Sequence, residues 1–354
     1  MPHAKTSVMP GPLPISVVIP AYNAAAYLAE ALDSVARQRR PAAETIVIDD
    51  GSSDDSASLA RRFGVRVITQ PNRGVAQARN AGIVAATQPW IAFLDADDRW
   101  HPERLAAQWQ ALEGCSAVGI VAADYRIFRG PATLEPSGLA LAAGYRGLRR
   151  RPLAAGAVLL ERPAIVEALV TGYFLQPSTL LVARRLFVDM NLWFTSREDL
   201  PATAEFHVGE DFELMLRLLR HSDVVLVERA LVDYRLSATS LSADAVRMRS
   251  GDIVLGEYVC AAPERYAAGA AEAFLRIRPF KLRDTGRRYL AAGDIRRAHA
   301  MFTRAAAERD RLARPFAVLT RPYTSRFGVT AFGAVWHIWR RYVRPWVHRA
   351  RGAA

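Results

Sequence analysis

The sequence predicts an α/β protein in which helices cover both faces of a mostly parallel sheet, followed by a C-terminal α-helical appendage. Two observations in the first 94 residues predict the sheet. Short apolar runs alternate with helical patterns every 20 to 30 residues, and polar or turn-forming residues follow each run. Strands that are buried on both faces have such continuous apolar runs. The third observation is that helical periodicity replaces the alternation from about residue 245.

The individual elements follow from the same patterns, because a short apolar run predicts a strand and apolar residues three or four apart predict a helix. Residues 124–175 are rich in Gly, Pro and Arg, which predicts loops and short elements that contact a substrate. We predict strands at 15–19, 44–48, 65–69, 90–94, 177–183 and 224–227, and helices at 24–38, 55–63, 74–86, from Pro102, at 183–187 and at 209–220, with a helical hairpin at 283–308 around Gly293.

Length, cysteine content and charge limit the class of protein. A chain of 354 residues suits a large domain with an appendage. The two cysteines lie 145 positions apart and form no disulfide or metal pattern, and the sequence begins without a long apolar leader. We therefore expect a cytoplasmic protein. We also expect no membrane span, because no apolar run is long enough. Residues 1–250 carry 27 basic and 27 acidic side chains, whereas residues 251–354 carry 20 and 8. The basic C-terminal region therefore predicts an anionic neighbour, such as a membrane surface, a nucleic acid or an acidic partner.

The segment IAFLDADDRWHPERL, residues 91–105, is the strongest chemical signal. An apolar strand ends in three carboxylates, Asp95, Asp97 and Asp98, whose mutual repulsion is relieved where a cation binds. Hard divalent ions such as Mg²⁺ and Mn²⁺ prefer oxygen ligands, often one or two carboxylates together with substrate phosphates. The alternative is that Asp98 caps the next helix while the other two acids are solvated.

Four segments in order resemble glycosyltransferase family 2, whose members are nucleotide-sugar enzymes with the GT-A fold. They are SVVIPAYNAAAYLAEALDSVARQ, ETIVIDDGSSDDS, NRGVAQARNAGIVAATQPWIAFLDADDRWHPERL, and GEDFELMLRLLR followed by YRLSATSLS. The resemblance covers about two thirds of the chain. It implies a GT-A catalytic domain over residues 15–245, with a nucleotide-sugar-binding half at 15–123 and an acceptor-binding half at 124–245. A flexible N-terminus at 1–14 and a basic helical region at 246–354 would flank it.

The resemblance also implies roles for the residues that follow the strands. Asp97 would hold the divalent cation, and Asp95 would face the ribose or the metal. Asp50, with Asp49 beside it, would accept a hydrogen bond from the nucleobase; the alternative is a turn with a helix cap at Ser53 or Asp54. The remaining donor-binding candidates are Pro20 and Tyr22 at the base and ribose, and Arg79 near the donor.

Glu210 and Asp211 stand at the start of an amphipathic helix. By resemblance Asp211 is the general base, which removes the proton of the attacking sugar hydroxyl. The alternative is that both acids stabilise the helix N-terminus through its dipole. Attack with one base and no covalent intermediate would invert the anomeric centre.

The chain departs from the family pattern in two places. The late loop reads Tyr234-Arg235-Leu236-Ser237, where the family often has a histidine in place of Ser237, so Arg235 is the expected late-loop contact. The Gln-x-x-Arg-Trp motif of processive synthases is absent after Asp211. Residues 190–208 match no template and are interpreted as an acceptor loop.

We therefore expect an inverting, metal-dependent glycosyltransferase of the hexosyltransferase type. It would use a nucleotide-diphosphate sugar, with a UDP-sugar as the expected donor, and a glycan or lipid-linked acceptor in cell-envelope or extracellular polysaccharide biosynthesis. A nucleotidyltransferase with similar metal carboxylates and a nucleic-acid-binding protein that uses the basic tail are the alternatives, although no nucleic-acid recognition motif is present. The tail places Trp336, Trp339 and Trp346 beside Arg340, Arg341 and Arg344. This pattern predicts either peripheral attachment to an anionic membrane or packing on the catalytic domain.

Overall fold

A computed structural model describes residues 11–115, 117–196, 209–237 and 244–321. Parts of three sequence predictions lie outside these residues: most of the flexible N-terminus, residues 197–208 of the expected acceptor loop, and the Trp/Arg tail. The described residues fall into two compact units. The described residues of the first unit are 11–115, 117–196, 209–237 and 262–273, and those of the second are 244–261 and 274–321.

The first unit is built around one mixed, mostly parallel sheet, which confirms the predicted α/β fold class. The described strands pair in the order β3-β2-β1-β4-β10-β6-β11-β9-β8, with β5 beside β11 and β7 beside β6. They are β1 Leu13–Ala21, β2 Ala42–Asp49, β3 Arg66–Thr69, β4 Trp90–Phe93, β5 Arg99–Trp100, β6 Ile120–Arg129, β7 Ala132–Glu135, β8 Arg151–Pro152, β9 Ala157–Leu160, β10 Leu181–Ala183 and β11 Val224–Arg235.

The first four strands run parallel, so their carboxyl ends meet at one edge of the sheet. Nearly every residue of β1 is buried, which explains why its sequence lacks a polar alternation. Beyond β4 the sheet becomes mixed, because β10 is antiparallel to both β4 and β6, and β11 is parallel to β6. This arrangement brings the ends of β4 and β11 to the same region.

The described helices confirm the predicted pattern, with differences at their ends. The helix expected from Pro102 begins at Arg104, because Arg99 and Trp100 first form a short strand against β11. The helices are α1 Leu28–Ala36, α2 Ser56–Arg62, α3 Val75–Ala85, α4 Arg104–Glu113, α5 Gly138–Leu141, α6 Ala143–Arg146, α7 Ala164–Thr171, α8 Arg184–Val188, α9 Glu210–Leu218, α10 Ala245–Ala261, α11 Ala270–Ala292, α12 Ile295–Ala307 and α13 Arg314–Thr320.

Two sequence predictions in the first unit are wrong in detail. Residues 124–175 contain loops and short elements such as β9, as predicted, but they also contain most of the ten-residue strand β6 and the eight-residue helix α7. Residues 177–183 are a short 3₁₀ turn followed by β10 rather than one strand.

The second unit is entirely helical in its described part, which confirms the C-terminal helical appendage. Gly293 adopts a left-handed conformation, with φ of 85°, and ends α11 where the hairpin was predicted. The core contains Ile253, Leu282 and Ala305. Lys281 is 5% exposed and forms an ion pair with Asp252 at 2.8 Å, so the charge of this buried lysine is balanced by a partly exposed carboxylate.

Candidate active site

The carboxylate segment that follows β4 is held in place by Asp98. This side chain is 1% exposed; its Oδ2 accepts the hydroxyl of Ser178 at 2.6 Å, and its Oδ1 accepts the backbone N–H of Arg235 at 2.8 Å. The Ser178 hydroxyl also accepts the backbone N–H of Asp95 at 3.0 Å. Burial, and then the charges of Asp97 and Asp95, raise the pKa of Asp98 well above its usual range. Asp98 is therefore a buried anchor. It does not cap α4, because the N-cap position of that helix is Glu103.

Asp97 is only partly buried, and no basic side chain in the described ranges forms an ion pair with it. Burial, followed by the charge of Asp95, raises its pKa to about 6. Excess negative charge of this kind is suited to a divalent cation. No group of three His, Cys, Asp or Glu side chains disposed around one point occurs among the described residues. A metal held by one or two carboxylates and by the phosphates of a substrate does not require three protein ligands, so Asp95 and Asp97 fit the expected cation.

Arg79 joins the carboxylate segment to α9. Its guanidinium bonds to Asp95 at 2.7 Å and to Glu210 at 2.9 Å, across 131 positions of sequence in the second case. Only 3% of Arg79 is exposed. Helix α3, which carries Arg79, packs closely on the sheet at Gly82. A side chain at this position could not be accommodated, because its Cβ would lie 2.2 Å from the side chain of Val18. Burial alone would lower the pKa of Arg79, but the charges of Asp95 and Glu210 outweigh it and raise the pKa.

Glu210 and Asp211 form the first turn of α9, preceded by Gly209 in a left-handed conformation with φ of 102°. Asp211 Oδ1 accepts the backbone N–H of Phe212 at 2.8 Å. Burial, and then the charge of Glu210, raise the pKa of Asp211 to about 7, while Arg79 acts in the opposite direction. A carboxylate whose pKa is near neutrality is suited to proton abstraction. The helix-dipole interpretation does not account for this burial.

The predicted nucleobase contacts lie at the carboxyl end of β2. Asp50 is 3% exposed and its carboxylate accepts the side chain of Gln70 at 2.7 Å and the backbone N–H groups of Arg73 and Gly74 at 3.0 and 2.8 Å. It therefore fixes the segment that leads into α3. Asp49 is also buried and accepts the backbone N–H of Ser52 at 3.2 Å. An ionised carboxylate has about four acceptor positions, so a nucleobase contact for either acid stays a prediction.

The end of β1 contributes the other two donor-binding candidates. Pro20 is buried, whereas Tyr22 is 55% exposed and does not belong to the core. Asn23 follows with φ of 48°, and its Oδ1 accepts the backbone N–H of Ser53 at 2.8 Å. The turn that presents Tyr22 is therefore tied to the acidic turn after β2. The role of Tyr22 at the nucleobase and ribose of the donor remains a prediction.

Arg235 lies directly behind the carboxylate segment. Its Nε donates to the backbone oxygen of Asp97 at 2.7 Å, and a terminal nitrogen bonds to Glu30 at 2.9 Å. The guanidinium lies 4.6 Å from the ring centroid of Tyr27 and 4.5 Å from that of Phe128. Arg235 is the last residue of β11, which extends beyond the predicted strand 224–227, so the expected late-loop contact lies in a strand. This side chain, 8% exposed, supports the carboxylate segment.

Sequence reasoning missed two residues of this region, Ser178 and Tyr173. The Ser178 hydroxyl joins Asp95 to Asp98, and the ring of Tyr173 stacks on Phe212 with centroids 4.7 Å apart. The available signal was a serine next to the apolar run of PSTLLVA, because a hydroxyl that becomes buried with such a run needs hydrogen-bond partners. Nothing in the sequence pairs Tyr173 with α9.

The arrangement has two functional parts. Carboxylates suited to a cation lie where a parallel sheet exposes its strand ends, which is the usual position for a ligand in such sheets. A separate buried acid with a pKa near 7 lies on α9, joined to the first part through Arg79 and Glu210. This arrangement of sheet and acids agrees with the GT-A fold that the sequence predicts.

Comparison with known proteins agrees with the resemblance in the sequence. Residues 16–156 match the model described as Glycosyl transferase family 2. The succinoglycan biosynthesis protein ExoU of Rhizobium meliloti is 46% identical over 101 residues, which are 27% of this chain and 29% of ExoU. Across eight such curated relatives the chain spans between 17% and 40% of their lengths.

Two solved structures have the same fold across most of both chains. Residues 1–349 of S. aureus TarS in complex with UDP match with a TM-score of 0.56 and 16% identity, over 92% of this chain and 91% of that one. The mannosyltransferase PcManGT from Pyrobaculum calidifontis, in complex with GDP-Man and Mn²⁺, matches with a TM-score of 0.51 and 18% identity, over 93% and 90%. At these identities the likeness concerns the fold alone.

Proposed function

We propose that this protein is an inverting, metal-dependent glycosyltransferase that moves a sugar from a nucleotide-diphosphate sugar to a glycan or lipid-linked acceptor. The observation that carries the proposal is the link from the carboxylate segment through Arg79 to Glu210, which directly precedes the buried acid Asp211 on α9. The family domain, the UDP in TarS and the GDP-Man in PcManGT support a nucleotide-sugar donor, and we propose a UDP-sugar. They also favour sugar transfer over nucleotidyl transfer or nucleic-acid binding.

Asp97 and Asp95 would hold the divalent cation, and the Mn²⁺ in the PcManGT structure supports this choice. Such an ion stabilises the negative charge that develops on a diphosphate leaving group. Asp98 and Arg235 keep the carboxylate segment in one conformation, so that the ligands are organised before the donor binds. Arg79 holds Asp95 and Glu210 and balances part of their charge.

Asp211 would take the proton of the attacking acceptor hydroxyl. Its raised pKa, about 7, makes it a stronger base than an ordinary carboxylate while leaving it largely ionised at slightly alkaline pH. The acceptor hydroxyl would attack the anomeric carbon on the face opposite the leaving group. Such a direct attack inverts the anomeric configuration. We propose no covalent intermediate.

The acceptor pathway and the membrane partner are proposed on different grounds. The name of ExoU supports cell-envelope or extracellular polysaccharide biosynthesis. No helix in the described ranges is long and apolar enough to cross a bilayer. The second unit exposes 66% of Leu312 and 71% of Val318, close in sequence to the exposed Arg311 and Arg314. Apolar side chains among arginines favour an anionic interface, so we propose peripheral attachment on the cytoplasmic side through this region and the Trp/Arg tail.

The test is thermal unfolding across a panel of nucleotide sugars, each with and without Mn²⁺, followed by product analysis. A donor at about 100 times its Kd adds roughly 2.7 kcal/mol to the unfolding free energy of the protein. We expect one UDP-sugar to stabilise the protein and to do so only with the metal. The NMR signal of the anomeric proton in the product should show that the configuration of the donor sugar has been inverted. Absence of stabilisation by every nucleotide sugar, or retention of configuration, would contradict the proposal.

A further inference from the structure

Tyr173 lies in the segment between α7 and β10, next to the start of α9. Its ring stacks on Phe212, with centroids 4.7 Å apart and planes at 21°. Phe212 directly follows Asp211 in the chain. The stack therefore holds the phenol against the turn of helix that carries the proposed base.

The hydroxyl of Tyr173 is buried, and no hydrogen bond to it is formed within the described part of the structure. A buried polar group without a partner is unfavourable, and so requires an explanation. Tyr266 offers a contrast in the same unit, because its hydroxyl donates to Glu213 on α9 at 3.0 Å. The two tyrosines contact one helix, but only the hydroxyl of Tyr266 forms a hydrogen bond of ordinary geometry, whereas the hydroxyl of Tyr173 lies near the side chain of Asp211 without one.

The surroundings of Tyr173 keep its proton in place. Burial, and then the charges of Asp211 and Glu210, raise its pKa well above the ordinary value. The phenol is therefore a neutral O–H donor beside carboxylates. The described charged groups that act on Asp211 are Glu210 on its own helix, Arg79 from α3 and Asp95 after β4. The two terminal nitrogens of Arg79 are already bonded to Asp95 and Glu210, so the buried donors near Asp211 that lack a well-formed hydrogen bond among the described residues are the phenol and the Nε of Arg79.

We propose that Tyr173 is a positioning residue for Asp211, to which it donates a hydrogen bond when the carboxylate is ionised. This inference rests on the proposed role of Asp211 as the base. Asp211 Oδ1 accepts the N–H of Phe212. A hydrogen bond from Tyr173 would fix the orientation of the carboxylate, so that a remaining lone pair is directed at the acceptor hydroxyl. Tyr173 keeps its own proton, and the proton of the acceptor passes to Asp211.

The proposal predicts the direction in which the pKa of Asp211 moves. A donor to a carboxylate stabilises the charged form, so its removal raises the pKa. Tyr173→Phe keeps the ring and its stack on Phe212 but removes the donor. The pKa of Asp211 should rise by about 0.5–1 unit, as one ordinary hydrogen bond implies. Replacement of Tyr173 by 3-fluorotyrosine, whose hydroxyl is a stronger donor, should lower it.

The experiment is a ¹³C NMR titration of carboxyl-labelled aspartate in the full chain, without ligand. The Asp211 signal is assigned by its loss in Asp211→Asn. Tyr266→Phe is the matched control, because it removes a tyrosine hydroxyl that bonds to another acid of α9, and it should leave the pKa of Asp211 in place. Shifts of opposite sign for the two replacements of Tyr173 support the proposal. If both leave the pKa unchanged, or if Tyr266→Phe shifts it equally, Tyr173 does not position Asp211.

This readout needs no turnover, so it separates the two inferences. Transfer activity that survives Asp211→Asn would overturn the proposed base, whatever the titration shows. If Tyr173→Phe fails to fold, as judged by circular dichroism, the 3-fluorotyrosine protein decides the question, because it preserves the shape of the side chain.

Discussion

Replacement of Arg79 should cost far more stability than replacement of an exposed arginine. Arg79→Met keeps most of the aliphatic stem and removes the charge that bonds to Asp95 at 2.7 Å and to Glu210 at 2.9 Å. Removal of one partner from a buried ion pair typically costs about 3–5 kcal/mol, because the remaining charge is left uncompensated. The side chains of Asp95 and Glu210 are 25% and 19% exposed, so water relieves part of the penalty. We expect a loss of about 3 kcal/mol.

The control is Arg37→Met, which breaks the pair between Arg37 and Asp33. These side chains are 71% and 45% exposed, and such a pair contributes at most about 1 kcal/mol. Urea unfolding at pH 8 would measure both losses. A loss below about 1 kcal/mol for Arg79→Met, or a loss no larger than that of Arg37→Met, would refute the assignment of Arg79 as a buried electrostatic tie.

Three further predictions concern the reaction and the tail. Asp97→Ala should abolish transfer and leave the circular dichroism spectrum unchanged, since the diphosphate loses the metal that balances its charge; undiminished wild-type turnover in excess EDTA would disprove the metal role. Asp211→Asn should lower kcat by about 10²–10⁴ with donor affinity little changed. In the wild type, kcat should rise with pH through about 7, because the base works only after it loses its proton; a fall in donor affinity at constant kcat would instead make Asp211 a binding residue. The full chain should sediment with anionic liposomes at low salt, whereas a chain that ends at residue 328 should not, although it should still bind nucleotide; unfolding of the shortened chain, or failure of the full chain to bind liposomes, would contradict the membrane proposal.

The first half of the fold could be predicted because its signals are local. Continuous apolar runs place β1, β2 and β4, and the acids and glycines that follow them mark the edge where a ligand binds. Hydrophobic spacing alone predicted α9 and the helical hairpin around Gly293. The sequence was less informative for β6 and β9. The residues around them are rich in Gly, Pro and Arg, which predicts loops, and both strands pair with β11, which is distant in sequence.

The candidate residues were recognisable as types, but their contacts were not. The acids at 95, 97 and 98 look alike in sequence, and only tertiary burial makes Asp98 an anchor while Asp97 stays partly accessible. Asp50 could be predicted to lie at a strand end, whereas its bonds to Gln70 and Gly74 depend on how the next loop folds. Such contacts join positions that no local pattern connects.

The position of Asp98 has a consequence for how the chain acquires its active form during synthesis. Its two hydrogen-bond partners follow it by 80 residues, at Ser178, and by 137 residues, at Arg235. At about 5–20 residues per second, a ribosome reaches Arg235 roughly 7–27 s after Asp98. Both partners also lie beyond residue 156, where the family match ends. A nascent chain that contains only the matched portion cannot complete the anchor, so the carboxylate segment should become ordered only after β11 has emerged and joined the sheet.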